Sequence, residues 1–287
     1  MRKIKSTCLT ALFILSFLTG CAKKEVPGVV PGADRTEVYL PMLTGKSVAL
    51  AVNNSSVIDG KSILDTLLSL GVKVVRIFSP EHGFRGGNQY DTVDVNTGVP
   101  IALLYGSDSY KPKNEDLADV DVVVFDMQDV GTRFYTYLST LHYVMEACAE
   151  NGKELIILDR PNPNDYYVDG PVLDTAFRSF VGMHPIPILH GLTLGEYAGM
   201  INGEKWLKGG VQCKTEVIKV EGYNHGMEYV LPIPPSPNLN TQQSILLYPS
   251  LCLFEGTVIS QGRGTMFPFR SEERRVGKEG RSRGLEV

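Results

Sequence analysis

The chain has 287 residues, of which 43% are apolar and 21% charged. That is ordinary globular usage, which excludes a disordered chain, a collagen-like chain and a polytopic membrane protein. Its 28 basic and 32 acidic side chains give a formal charge of −4, so no basic surface announces nucleic acid.

The N-terminus reads as a secretion signal. Arg2, Lys3 and Lys5 form a positive start, and residues 8–18 form an apolar run too short to span a bilayer comfortably. Leu18-Thr19-Gly20-Cys21 follows, resembling the bacterial lipobox, in which the signal is cut before a cysteine that then carries lipid. The reading is a signal over 1–20 and a membrane anchor at Cys21, firm only with more than one acyl chain. A tether would run to residue 45, Pro/Gly-rich over 22–36. The other cysteines past the signal, Cys148, Cys213 and Cys252, allow at most one disulfide and show no zinc spacing.

From Lys46 onward, short β-branched runs alternate with helical periods. Residues 47–52 (SVALAV) predict a buried strand, and 62–70 predict a helix stopped by Gly71. Strands follow at 72–78 and 101–105, then a helical turn at 115–120 and the strongest strand at 121–127 (DVVVFDM). A long helix is expected over 134–151, a strand over 154–159, a helix over 194–202 and a strand near 215–220. Four prolines within 231–238 exclude helix and central strand there. A helix over 244–254 and a strand over 257–260 are expected next.

Apolar strands alternating with helices argue for an α/β fold: a Rossmann-like, mostly parallel sheet with helices on both faces. No GxGxxG opens a helix after a strand and no Walker A motif occurs, so neither NAD nor a nucleoside triphosphate is expected. The domain is expected over 46–235, and the beginning of a smaller C-terminal domain over 236–269. After Phe269, RSEERRVGKEGRSRGLEV is charged and aperiodic; it reads as disordered and resembles a translated sequencing-adapter tail. The expectation is a non-native tail over 270–287 on a C-terminally truncated chain of little activity.

Ligands of open parallel sheets bind beyond the carboxyl ends of the strands. Three strand ends are charged: Ser79-Pro80-Glu81-His82-Gly83-Phe84-Arg85, Asp126-Met127-Gln128-Asp129-Val130-Gly131-Thr132-Arg133-Phe134-Tyr135, and Asp159-Arg160-Pro161-Asn162. One such end can simply cap the next helix; three at one edge point to an active site. Glu81 sits between Pro80 and a glycine-rich loop, placed to act as a general acid in a partly dry cleft or to pair with Arg85 or Arg133. Asp126 or Asp129 would supply the second carboxylate of glycoside hydrolysis. His82 and His190 are weaker candidates for ligand contact. A metal site from Glu81, His82, Asp126 and His190 lacks any HExxH-like spacing, so no metal or cofactor is expected.

The same residues carry a family resemblance. SPEHGFRG (79–86), FDMQDVGTRFYTY (125–137), LDRPNP (158–163), DGPVLD (169–174), SFVGMHPIPILHGLTLGE (179–196), PPSPN (234–238) and EGTVISQGRGT (255–265) are similar, in order, to a bacterial family of secreted exo-β-N-acetylmuramidases, the NamZ-like proteins. The resemblance implies a Rossmann-like domain, a smaller second domain, and a cleft between them. It implies removal of N-acetylmuramic acid from the non-reducing ends of peptidoglycan fragments at the cell envelope, with Glu81 as catalytic glutamate. Two departures stand out: Asn53-Asn54-Ser55-Ser56 differs from the family's usual strand-one end, and relatives continue past the GRGT segment.

Muramic acid carries a lactyl carboxylate, which calls for arginine. Arg85, Arg133, Arg160 and Arg263 are candidates, with His82, Gln128, Tyr135, Asn162 and His190 as further substrate contacts and Tyr137 beside Tyr135 as a second ring to stack on a sugar face or bond to a hydroxyl. The alternatives are a non-catalytic glycan- or solute-binding lipoprotein on the same scaffold, and a metal-dependent hydrolase of another wall bond.

Overall fold

The computed structural model describes residues 28–86, 90–106 and 109–269. The expected signal, Cys21 and the tail after Phe269 lie outside the described residues.

The chain enters through helix α1 (Thr36–Leu43) and strand β1 (Ser47–Val52), then a small hairpin of β2 (Val57–Ile58) and β3 (Lys61–Ser62). Helix α2 (Ile63–Ser69) leads to β4 (Lys73–Ser79), β5 (Ile101–Leu103) and β6 (Val122–Asp126). Helix α3 (Tyr137–Glu150), β7 (Glu154–Leu158), α4 (Leu194–Gly203), β8 (Thr215–Ile218) and α5 (Gln242–Leu251) complete the order. Six strands form one parallel sheet in the order β5-β4-β1-β6-β7-β8. The chain starts at the centre, winds outward one way and then the other, which is the doubly wound Rossmann order. Its reversal lies between β1 and β6.

Burial on both faces explains why the central strands lack alternation. Val48, Leu50 and Val52 of β1 pack with α1 and α2, while Ala49 and Ala51 face α3 and α4. Val122 and Val124 of β6 join the first cluster, and Val123 and Phe125 the second.

Four details correct the sequence reading. The tether does not extend to residue 45: α1 is helical, and Ala33, Tyr39 and Leu43 are buried in the core. Helix α3 begins at Tyr137 rather than 134. The hairpin β2–β3 was not anticipated. No strand forms over 257–260; Val258 is 99% exposed, so its β propensity finds no sheet to join. Residues 236–269 also share the main core, through Leu239, Ile245, Tyr248 and Phe269.

The long segment between β7 and α4 has little regular structure, and side chains hold it down. His184 stacks on Trp206 with centroids 4.4 Å apart and bonds through Nδ1 to the Tyr197 hydroxyl at 2.5 Å. Its Nε2 lies 3.0 Å from His142 Nδ1 on α3, and His142 Nε2 lies 3.6 Å from Glu146. Burial pushes His142 down to about 4 and His184 down to about 3. Glu146 works against that shift at His142, while Arg178 and Lys111 reinforce it.

Both rings therefore stay neutral in the fold while the unfolded chain protonates below its ordinary value of about 6.5. The unfolded state then binds more protons, so stability is full above about pH 6.5 and drains away as pH falls toward 4 and 3. Lowering pH from about 7 to about 5 is expected to cost roughly 3 kcal/mol through the pair. Urea unfolding at the two pH values checks this, and His184→Phe should shrink the drop by about half. An unchanged drop in that variant would remove these rings as its cause.

Candidate active site

A cleft of about 410 Å³ opens at the carboxyl edge of the sheet. One wall is built from the ends of β4 and β5. After Ser79 and Pro80 the chain turns sharply, with His82 at φ 72° and Gly83 at φ 78°. A left-handed histidine costs about 1–3 kcal/mol, and such strain concentrates at functional sites. The turn brings Glu81 and His82 into the cleft, their side chains 25% and 28% exposed and Glu81 Oε1 3.9 Å from His82 Nε2. Burial lowers the imidazole below its ordinary value, against the pull of Glu81. Tyr105, just beyond β5, completes this wall; burial and the adjacent Glu81 carboxylate raise its hydroxyl.

Tyr135 and Tyr137 line the cleft at the start of α3, their rings packed edge to face with centroids 4.8 Å apart. Tyr137 donates to the carbonyl of Pro235 at 3.3 Å, and Asn54 Nδ2 donates to the carbonyl of Pro234 at 3.0 Å. The proline-rich segment is thereby strapped to the sheet edge, where it supplies Ser236 and Asn238 to the cleft. The end of α5 and the chain beyond it add Cys252, Glu255, Arg263 and Phe269 to the lining. Asn238 Oδ1 accepts from Gly264 N–H at 2.9 Å and holds the Arg263 loop in place.

Of the residues expected from sequence, Glu81, His82, Tyr135 and Arg263 meet in this cleft. The others do not line it, each for a visible reason. Asp126 is fully buried and paired with Arg160, whose Nη2 lies 2.9 Å from Asp126 Oδ2. Burial raises this carboxyl and Arg160 pulls it back. Arg85 spans Asp65 and Asp94, donating to both at 2.8 Å. Gln128 donates to the carbonyls of Asp129 and Pro161. Arg133 donates to the carbonyls of Pro171 and Ile186 and pins the long segment. Asn162 joins Leu192 to Asn164 and packs so tightly on Gly131 that a Cβ there would lie 2.0 Å from Asn162 Oδ1.

Asp129 and His190 sit together in the interior. Asp129 accepts from Gly131 N–H, and His190 Nδ1 accepts from Leu192 N–H, which places the neutral ring's proton on Nε2. That nitrogen lies 3.9 Å from Asp129 Oδ1. Among the described residues, Asp129 Oδ2 and His190 Nε2 are buried without a hydrogen-bond partner, and the Asp129 charge acts on Tyr135 and Tyr137.

Tyr137, which sequence reasoning paired with Tyr135 as a sugar contact, also lines the cleft; Tyr105, Asn238 and Glu255 were missed as cleft residues. Tyr105 was legible as the first polar group after its strand, and Glu255 opens the EGTVISQGRGT block. Among the described residues no group of three or more His, Cys, Asp or Glu converges as a metal site. Among them, too, no helix is long and apolar enough to cross a membrane.

Fold and site together define a doubly wound α/β protein with a tyrosine-lined, carboxylate-bearing cleft at its strand ends. Two family models match: "Exo-beta-N-acetylmuramidase NamZ, N-terminal" over residues 48–243 and its C-terminal counterpart over 246–272. The chain belongs to the exo-β-N-acetylmuramidase NamZ family. It is 40% identical to the peptidoglycan β-N-acetylmuramidase NamZ of Bacillus subtilis (strain 168), over 94% of this chain and 69% of that protein. Two solved DUF1343 family proteins of Bacteroides fragilis superpose with TM-scores of 0.79, at 50% and 38% identity. Each match covers 84% of this chain and 66% or 64% of the solved one, so this chain spans about two thirds of their length.

Proposed function

We propose that the whole protein is an exo-acting glycoside hydrolase that releases N-acetylmuramic acid from the non-reducing ends of peptidoglycan fragments. The observation that carries this is Glu81: a part-buried carboxyl on a strained turn, inside a tyrosine-lined cleft, in the PEHGFRG segment. In this reading Glu81 protonates the leaving glycosidic oxygen, and Tyr105, the part-exposed tyrosine of the cleft, packs on the sugar or bonds to its hydroxyls. The curated relative's name supports the substrate class. A lipid anchor at Cys21, read from the lipobox, would hold the enzyme at the cell envelope beside its polymer.

The test is direct. The full gene product is incubated with a chromogenic muramide and with a muramic acid–glucosamine disaccharide, and free muramic acid is expected. Tight binding of muramyl ligands with no turnover would leave the non-catalytic reading in its place.

Arg263 is the arginine that lines the cleft, and it is assigned the lactyl carboxylate. A hydrogen bond to a charged group contributes about 1.5–3 kcal/mol, so Arg263→Met should raise KM for muramides by roughly 10- to 100-fold. The loss should be at least about tenfold larger on the muramide than on a glucosaminide, which has no lactyl group. Equal losses on both substrates would remove Arg263 from specificity.

A further inference from the structure

Glycoside hydrolysis by two carboxyl groups needs a second one facing the same bond as the first. The sequence pointed to Asp126 or Asp129, and the fold removes both from the cleft. Asp126 is fully buried against Arg160, and Asp129 is 6% exposed with Oδ1 bonded to Gly131. Among the described residues, the other carboxylate lining the cleft is Glu255.

Glu255 sits in the short 3-10 turn that continues α5 and lines the same cleft as Glu81. Its side chain is 34% exposed, and Oε2 lies 3.2 Å from Arg263 Nη1. Burial pushes the neighbouring Cys252 thiol up to about 12, and the Glu255 charge adds to that shift. Burial likewise raises Tyr248, again with a contribution from Glu255. The carboxylate therefore stands beside Tyr248 and Cys252, which line the same cleft. Arg263, which pairs with it, also acts electrostatically on His82 and Tyr105. Glu81 and Glu255 thus line one cleft, with Arg263 within electrostatic reach of both parts of it.

We propose that Glu255 is the second catalytic residue, the base that activates water for attack on the anomeric carbon. The assignment rests on the glycosidase reading above. As the bond between the anomeric carbon and the leaving oxygen breaks, its electron pair stays on that oxygen, which takes the Glu81 proton. Water forms the new bond to the anomeric carbon from the other face, and its proton passes to Glu255. The β-linked substrate then yields the α-anomer first, the outcome of direct attack by water on the face opposite the leaving oxygen.

A part-exposed ion pair contributes about 0–1 kcal/mol, so Glu255→Gln should leave the melting temperature nearly unchanged. Its kcat on the muramide should fall about 100-fold, within the usual range for general base catalysis. Azide should restore turnover to Glu255→Ala and give the α-glycosyl azide, a rescue that a merely structural role would not allow. Proton NMR of the wild-type reaction should show the α-anomer first.

The proposal is overturned by β-anomer as first product, by failure of azide rescue, or by Glu255→Gln staying within about threefold of wild type while Glu81→Gln collapses. In those cases the glycosidase reading survives. Wild-type protein that releases no muramic acid overturns both.

Discussion

Replacing Glu81 by Gln is expected to lower kcat on a chromogenic muramide about 1,000-fold, near the middle of the range for losing a positioned acid. Gln keeps the shape and polarity of the side chain but carries no transferable proton. KM should move little, because the loss falls on an interaction made in the transition state. The fold should also tolerate the change. Glu81 is part-exposed, and its neighbour at 3.9 Å is the His82 imidazole, which burial holds below its ordinary value. Substitutions at such positions usually stay within about 0.5 kcal/mol. Steady-state kinetics with a thermal melt decide the matter. A variant retaining more than about a tenth of wild-type kcat would mean that the proton comes from elsewhere.

Glu81 was legible before any coordinates, and the reason is local. A Pro before it and a glycine after His82 mark a turn at a strand end, and strand ends of parallel sheets face ligands. The central strands were legible for a related reason. β1 is buried on both faces, so SVALAV is a continuous apolar run whose meaning needs no tertiary context. Helix α1 was illegible because Pro41 interrupts its pattern and its buried face is set by packing Tyr39 and Leu43 on the sheet. Its expected role as tether followed from composition alone.

The second carboxylate shows where sequence stops. Asp126 and Glu81 read alike: each ends an apolar strand and is followed by polar residues. Only the fold reveals that Arg160, from the next strand end, reaches back to neutralise Asp126 in the interior. The same holds for Arg85, whose partners Asp65 and Asp94 come from a helix and a loop on either side of it in sequence. Charges at one edge can be counted from sequence, but which of them cancel is a matter of long-range geometry. Glu255 reaches the cleft through a turn at the end of α5, and no periodicity announces that.

The Asp126–Arg160 pair supplies the second large effect. Asp126 is fully buried and Arg160 is 5% exposed, and they join the ends of β6 and β7 beside the point where the strand order reverses. Removing one partner leaves the other charge buried without compensation, so Asp126→Asn or Arg160→Leu should cost about 3–5 kcal/mol each. Domains of this kind have about 5–15 kcal/mol in total, so either single variant should show a much lower urea midpoint and a smaller soluble yield. Replacing both, as Asp126→Leu with Arg160→Met, removes the stranded charge. Apolar substitution of a buried pair is often neutral, so the double variant should recover most of the loss. The coupling energy from the four proteins measures the pair directly. Losses that simply add would show the two residues acting independently. The double variant also separates structure from chemistry: it should keep muramidase turnover close to wild type, because Asp126 lies outside the cleft. A stable double variant with collapsed kcat would return Asp126 to the catalytic machinery.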